Sequence, residues 1–310
     1  MGKYIQVLRD RYASLVSDKE ARDRGEDPRN FIRTGFKDFD AKAAIERSIL
    51  TVIGAATGEG KSIFKKHLQE TAARDGLTCL DLSFEDPPER SADRTFSTMT
   101  AINNARLGMG DYTDRELLQI AIALEEAEEW AGRIDYHYGL RTAEDALRIV
   151  LDSGADLVQI DYAQAFPEGS KGMERTIADL AWALNEDAQE KKRSVIVYSQ
   201  LTTKVETRGV DRAESSRRFS KDGDKGVDIA GFRPFGSSDL AWSSALGQRA
   251  KGLGFLFRPG RAKRRFKENV KDDTMELIWP KKNFGAEGTV VVGFDGPSAR
   301  LFDLPSKEKA

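Results

Sequence analysis

Several kinds of residue that would indicate particular classes of protein are scarce in this chain of 310 residues. The single cysteine, Cys79, excludes an internal disulfide, and the two isolated histidines, His67 and His137, lack the spacing of zinc ligands. No apolar run approaches the ~20 residues that a membrane-spanning helix needs. The net charge of -2 indicates no overall preference for an anionic partner. We therefore expect a cytoplasmic protein without a membrane partner, in which any binding of nucleic acid depends on local basic clusters.

The sequence does contain a glycine-rich segment between a strand pattern and a helix pattern. A β-branched apolar run at 48–53 precedes this segment, and a helical pattern at 61–73 follows it. In a phosphate-binding loop, backbone N–H groups face the phosphates, a lysine contacts the β- and γ-phosphates, and a hydroxyl ligates Mg²⁺. We therefore predict that ATP and Mg²⁺ bind to the loop formed by Ala55, Ala56, Thr57, Gly58, Glu59, Gly60, Lys61 and Ser62.

Polar residues follow three other predicted strands. The strand predicted at 77–84 precedes Glu85, the one at 156–161 ends in Asp161, and the one at 194–198 precedes Gln200. Helices alternate with these strands, which predicts an α/β fold with a mainly parallel sheet covered on both faces. Ligands bind at the carboxyl ends of such strands, so these side chains should lie at one edge. Asp161 fits a magnesium-associated carboxylate, and Glu85 is either the base that deprotonates a water or a solvated turn residue.

Segments outside this central pattern predict further elements. A helix at 3–24 carries one apolar stripe, and its cover is either its own domain or an adjacent subunit. Residues 202–232 are polar with almost no apolar periodicity and predict an irregular loop. The patterns at 276–279 and 289–294 predict a C-terminal antiparallel hairpin.

We expect the chain to have three parts: a short N-terminal docking helix with its linker at 1–30, one main domain at 31–304, and a polar tail at 305–310.

Five short motifs, taken in order, resemble the RecA-type motor domain of DnaB-like replicative helicases. They are TGFKDFD at 34–40, the loop at 55–62, LSFE at 82–85, IDYAQ at 160–164 and SQL at 199–201. The resemblance continues through SDL at 238–240, Gln248 and 281–288, so that it covers residues 30–304. It implies a RecA-like fold and a homohexameric ring that hydrolyses ATP, translocates on single-stranded DNA and unwinds duplex DNA. A helicase loader or a primase would be a partner, and a phage or a plasmid would be a natural source.

The resemblance also assigns roles to individual residues. Lys61 and Ser62 would hold ATP and Mg²⁺, and Asp161 would be the magnesium-associated carboxylate. Glu85 would be the catalytic base, and Gln200 would be a sensor that couples the γ-phosphate to the DNA-binding loops.

One departure from the family concerns the residues that a subunit donates to its neighbour's site. The family uses a lysine and an arginine two positions apart. Here Lys281 keeps the lysine, but Asn283 replaces the arginine, which removes a bidentate donor to the transition-state charge. Lys282 and Arg258 are the candidates to replace it.

A second departure concerns DNA. After the SDL motif the family continues with Arg-Glu-Ser-Gly, whereas this chain has Ala-Trp-Ser-Ser at 241–244. Trp242 either stacks on a base or belongs to the core. Lys171, Arg175, Arg249 and Lys251 are candidates to follow a phosphate backbone through a pore, although each could be an ordinary solvated residue.

Two other functions are compatible with the same sequence. The lysines at 281 and 282 also fit a RecA- or RadA-like recombination ATPase, whereas the motifs at 161–164 and 199–201 favour a helicase. The replaced arginine favours a nucleotide-switched DNA-binding or loading protein with weak hydrolysis. ATP turnover with and without single-stranded DNA discriminates between these functions.

Overall fold

The structure, a computed structural model, describes residues 3–24, 31–42, 45–161, 173–219, 227–241, 244–281 and 287–305. Its strands are β1 (Phe31–Ile32), β2 (Ile45–Glu46), β3 (Ile49–Ala55), β4 (Cys79–Ser83), β5 (Ile134–Tyr138), β6 (Leu157–Asp161), β7 (Ser194–Gln200), β8 (Gly252–Phe257), β9 (Thr274–Lys281), β10 (Gly288–Asp295) and β11 (Arg300–Phe302). β1 and β2 form a small antiparallel pair, and the other strands form one sheet in the order β11-β10-β9-β8-β3-β7-β6-β4-β5.

This sheet has a parallel part and an antiparallel extension. β8, β3, β7, β6, β4 and β5 are parallel, whereas β9, β10 and β11 add to β8 in antiparallel pairs. All seven residues of β3 are buried. A continuous apolar strand of this kind is typical of a parallel sheet that is covered on both faces. The predicted mainly parallel sheet and the C-terminal antiparallel hairpin, which is β9 with β10, are both confirmed.

Helices cover the two faces of the sheet. The α-helices of the described residues are α1 (Lys3–Asp23), α2 (Lys37–Asp40), α3 (Lys61–Arg74), α4 (Pro88–Thr100), α5 (Asn104–Met109), α6 (Asp114–Ala131), α7 (Ala143–Asp152), α8 (Met173–Glu190), α9 (Thr203–Phe219), α10 (Ser244–Arg249) and α11 (Pro259–Arg264). Leu50 and Val52 of β3 pack in a core with α7, α8 and α10, whereas Ile53 packs on the other face with α3 and β9. This alternation follows from the two-residue period of a strand. None of the helices in these ranges is sufficiently long and apolar to cross a bilayer.

The segment predicted as an irregular loop at 202–232 is instead largely helical. α9 occupies Thr203–Phe219 and packs against a short 3-10 turn at Ala230–Phe232. Its inner face consists of Val205, Gly209 and Ala213, four residues apart, and a side chain at Gly209 would come within 2.3 Å of Phe232. The prediction of a loop is therefore wrong. The helix was missed because small residues at helical spacing give only a weak apolar pattern.

The predicted N-terminal helix is present as α1, and its apolar stripe faces outward. Tyr4 is 72% exposed, Leu8 48%, Tyr12 71% and Leu15 50%. The described part of the chain therefore does not bury this stripe, which argues against the alternative that the helix folds back on its own domain.

Candidate nucleotide-binding site

The glycine-rich loop connects β3 to α3 at the carboxyl edge of the parallel strands. Gly58 has a φ of +78° and Gly60 a φ of +95°, in the left-handed region that glycine tolerates and other residues avoid. A side chain at Gly60 would also come within 2.7 Å of Met275 and 3.0 Å of Phe294. Glycine is therefore required at both positions, and the loop brings the N-terminus of α3, where backbone N–H groups lack helical partners, to the site.

The predicted strand-end residues meet at this same edge. Ala55 lies beside Gln200 in the pairing of β3 with β7, and Ser83 lies beside Asp161 in the pairing of β4 with β6. The backbone N–H of Phe84 donates to the carbonyl of Asp161 over 2.9 Å, which fixes the start of the segment that carries Glu85. The structure thus brings together the loop, Asp161, Gln200 and Glu85.

An ion pair joins Lys61 of the loop and Asp161. Lys61 Nζ lies 2.9 Å from Asp161 Oδ1, and the side chains are only 14% and 7% exposed. Asp161 Oδ1 makes no hydrogen bond of normal geometry in spite of this ion pair. A buried carboxylate oxygen without a hydrogen bond is a suitable group to approach a cation or its bound water.

The donor set around Asp161 fits Mg²⁺ better than a transition metal. Within the described ranges no three His, Cys, Asp or Glu side chains are grouped so that they could hold a metal alone. Mg²⁺ is usually bound by one or two carboxylates or hydroxyls together with substrate phosphates and waters. Ser62, at the start of α3, and Asp161 offer a hydroxyl and a carboxylate of this kind.

Two adjacent carboxylates after β4 have different environments. Burial raises the pKa of Asp86, but hydrogen bonds from Arg94 and Ser62 outweigh this effect and hold the pKa below its ordinary value. Arg94 donates to both oxygens of Asp86, over 2.8 and 3.2 Å. Glu85, by contrast, is exposed. Of the two, Glu85 is the carboxylate that can reach a water at the edge of the sheet.

Two arginines brace the loop, a role that the sequence did not reveal. Arg261 donates to the carbonyl of Thr57 over 2.8 Å, and Arg258 donates to that of Gly58 over 2.9 Å. The guanidinium of Arg258 also lies 3.8 Å from the ring centroid of Phe294. The basic run at 258–271 was the only signal for these contacts. Since Arg258 is occupied at the loop of its own chain, it is not placed to replace the family's arginine in a neighbouring site.

A buried ion pair beneath the site was also missed. Lys65 Nζ donates to Asp81 Oδ1 over 2.7 Å and lies 3.8 Å from Asp161 Oδ2. Burial lowers the pKa of Lys65, but attraction to Asp81 and Asp161 outweighs it, so the pKa lies above its ordinary value and Lys65 is charged. The available signal was an aspartate in the middle of an apolar strand and a lysine one turn after Lys61.

Of the remaining predicted residues, Lys281, Arg249 and Lys251 lie away from this site. Lys281 pairs with Leu253 near the amino end of β8, at the opposite edge of the sheet, and donates to the carbonyl of Ala250 over 2.6 Å. Exposed Arg249 and half-buried Lys251 lie at that edge as well. Lys171, Trp242, Lys282 and Asn283 lie outside the described residues, and Arg175 belongs to α8 although its side chain is not described.

The loop, its lysine and a strand-end carboxylate on a mainly parallel sheet define a P-loop nucleotide-binding protein with a RecA-like fold. A family model described as DnaB-like helicase C terminal domain matches residues 32–223, and the chain belongs to this family. The predicted family is therefore confirmed.

Curated relatives have related names. The replicative DNA helicase DnaB of Buchnera aphidicola subsp. Acyrthosiphon pisum is 30% identical over 291 residues, which cover 90% of this chain and 57% of that protein. A probable plasmid replicative DNA helicase of Chlamydia trachomatis is 27% identical over 185 residues, which cover 56% of this chain and 40% of that protein. The chain thus spans about half the length of the curated relatives it matches.

Solved structures support the fold. One solved ATPase domain has a TM-score of 0.76 at 20% identity, and the match covers 98% of this chain and 100% of that domain. A DnaB-like replicative helicase, described with its interactions with primase, has a TM-score of 0.73 at 21% identity over 94% of this chain and 66% of its own. The RadB recombinase gives a TM-score of only 0.53 at 14% identity, with 89% of this chain and 100% of its own covered.

Proposed function

We propose that this chain is the motor of an ATP-dependent replicative DNA helicase, which translocates on single-stranded DNA as a homohexamer and unwinds duplex DNA. The main support is the contact between Lys61 and Asp161 at the carboxyl edge of a RecA-like sheet, in a chain of the DnaB-like family. The relatives named as replicative helicases support the same activity.

The residues at the sheet edge can carry out the chemistry of triphosphate hydrolysis. ATP with Mg²⁺ supplies the phosphoryl group and the positive charge that stabilises its transfer. Loop N–H groups and Lys61 bind the phosphates, and Ser62 and Asp161 hold the metal. Exposed Glu85 takes a proton from the attacking water. Gln200, which lies beside Ala55 at the end of β7 and shortly before α9, would sense the phosphates and pass the change to α9.

Two features support assembly of several copies. The α1 stripe is exposed, and α6 exposes apolar residues of its own, with Leu118 63% and Ile122 58% exposed. Lys281 lies at the edge opposite the loop, so it can act only in the site of another copy. A homohexamer is the assembly that the family implies.

The proposal also assigns individual residues to DNA binding. Arg249 and Lys251 are accessible at the amino edge of the sheet, which is consistent with a role on a phosphate backbone. Lys171, Arg175 and Trp242 stay predictions. A helicase loader or a primase would act as partner, and cytoplasm is the expected location.

ATP turnover with and without single-stranded DNA tests the proposal, together with unwinding of a forked duplex. We expect DNA to stimulate turnover and the fork to be unwound, and Lys61→Ala to lose both activities. Equal turnover with and without DNA would contradict a motor. Stimulation without unwinding would favour a recombination ATPase instead.

The replaced arginine at Asn283 favours one alternative, a nucleotide-switched DNA-binding or loading protein. Very slow turnover combined with DNA binding that depends on ATP would support that alternative.

A further inference from the structure

The ion pair between Lys61 and Asp161 competes with nucleotide binding. The same ammonium group must contact the phosphates, so Lys61 has to leave Asp161 Oδ1, from which it is separated by 2.9 Å. Only 7% of the Asp161 side chain is exposed. Removing one partner of such a pair leaves an uncompensated buried charge, which is strongly unfavourable. A second cation near Asp161 would reduce this cost.

Lys65 is such a cation. It lies four residues after Lys61 on α3, so the two side chains project from the same face of the helix. Lys65 Nζ is 3.8 Å from Asp161 Oδ2, whereas the ion pair with Lys61 is formed by the other carboxylate oxygen, Oδ1. The two lysines therefore do not share one oxygen of Asp161.

Lys65 cannot follow Lys61 towards a nucleotide. Its side chain is 4% exposed and is bonded to Asp81 Oδ1 over 2.7 Å. Its ammonium group also lies 5.8 Å from the centre of the Tyr136 ring. Asp81 is itself fully buried in β4. Lys65 is thus fixed beneath the site, whereas Lys61 stands at the start of the helix beside the loop.

We infer that Lys65 is a positioning residue that remains beside Asp161 as its counter-ion and so allows Lys61 to move to the phosphates. The inference rests on the proposed nucleotide binding by the loop. Without Lys65, Asp161 would attract Lys61 more strongly, and the phosphates would have to compete against a tighter ion pair. Lys65 itself does not touch the nucleotide.

The alternative is that Lys65 and Asp81 only fasten α3 to the sheet. The chain offers a matched control for this alternative. Lys66 and Glu70, on the same helix, form an ion pair of 2.8 Å with side chains 3% and 9% exposed. Glu70 also accepts a hydrogen bond from Thr95 of α4 over 2.6 Å. This pair fastens α3 to another helix and not to Asp161.

The experiment neutralises each pair with side chains of similar shape. One variant carries Lys65→Gln with Asp81→Asn, and the control carries Lys66→Gln with Glu70→Gln, so that neither leaves a single buried charge. Binding of ATP is measured by calorimetry in EDTA and again with Mg²⁺. Each double variant is also made in an Asp161→Asn background, and thermal melts verify that all of them fold.

We expect the Lys65/Asp81 variant to bind ATP in EDTA at least about threefold more weakly than the wild type, in line with coupling between contacting groups. The loss should be smaller with Mg²⁺, which neutralises Asp161, and absent in the Asp161→Asn background. The Lys66/Glu70 control should bind as the wild type does.

Three results would overturn the inference while leaving the proposed function intact. Equal losses in the two double variants would mean that the pair has only a structural role. A loss that persists with Asp161→Asn would show that Lys65 does not act through this carboxylate. Wild-type protein that binds ATP with Mg²⁺ but not in EDTA would show that the phosphates alone do not release Lys61. If the wild type binds no ATP in either condition, the proposed function fails together with the inference.

Discussion

Replacing Glu85 by glutamine tests the proposed general base against a well-matched neighbour. Glu85 is exposed after β4, so its neutralisation should change the free energy of unfolding by no more than about 0.5 kcal/mol. Loss of a general base slows proton transfer by about 100-fold or more, which raises the activation barrier by about 2.7 kcal/mol. Glu85→Gln should therefore bind ATP normally and hydrolyse it at about 1% of the wild-type rate in single-turnover assays.

Asp86→Asn is the control for this experiment. It removes the ionic part of the pair with Arg94, at 2.8 and 3.2 Å, and should destabilise the fold by about 1–3 kcal/mol. Its effect on single-turnover hydrolysis should be the smaller of the two. Hydrolysis by Glu85→Gln at a rate close to that of the wild type would refute the assignment, and a larger loss in Asp86→Asn would transfer the role to that residue.

Three further predictions concern the loop, the assembly and the stability. Gly58→Ala should weaken ATP binding roughly tenfold because of backbone strain at a φ of +78° and overlap with Arg261, whereas Gly76→Ala, strained at +83° but with open space around it, should not. Deletion of residues 1–24 should reduce the oligomer size in light scattering, and an unchanged size would refute the docking role of α1. Arg193→Met should lower the free energy of unfolding by about 3–5 kcal/mol in urea titrations, because it leaves Asp187 buried with its main partner removed; a change below about 1 kcal/mol would contradict this.

The sequence was most informative where function depends on neighbouring residues or on strand ends. β3, the loop and α3 are consecutive, so their order alone indicated the phosphate site. Asp161 and Gln200 are distant in sequence, but the common direction of parallel strands brings their ends to one edge. α9 was missed because the small residues of its inner face give little apolar signal.

Side-chain contacts that depend on how separate elements pack together could not be predicted. Arg258 and Gly58 are 200 positions apart, and nothing in a basic surface segment indicates which carbonyl it will contact. Lys65 and Asp81 are only 16 positions apart, but their pairing depends on how α3 lies on β4. Each residue alone would be interpreted as an unfavourable charge in a core, and only the packing reveals that the charges neutralise each other.

The position of Lys61 and Lys281 at opposite edges of one sheet has a consequence for mixtures of chains. A site that uses both lysines always combines the loop of one chain with the lysine of another. Two inactive variants, one lacking each lysine, would then complement each other when mixed, since some contacts would join an intact loop to an intact Lys281. Conversely, a chain lacking both lysines would disable the sites on its two sides, so a small fraction of it would silence a larger fraction of a closed assembly.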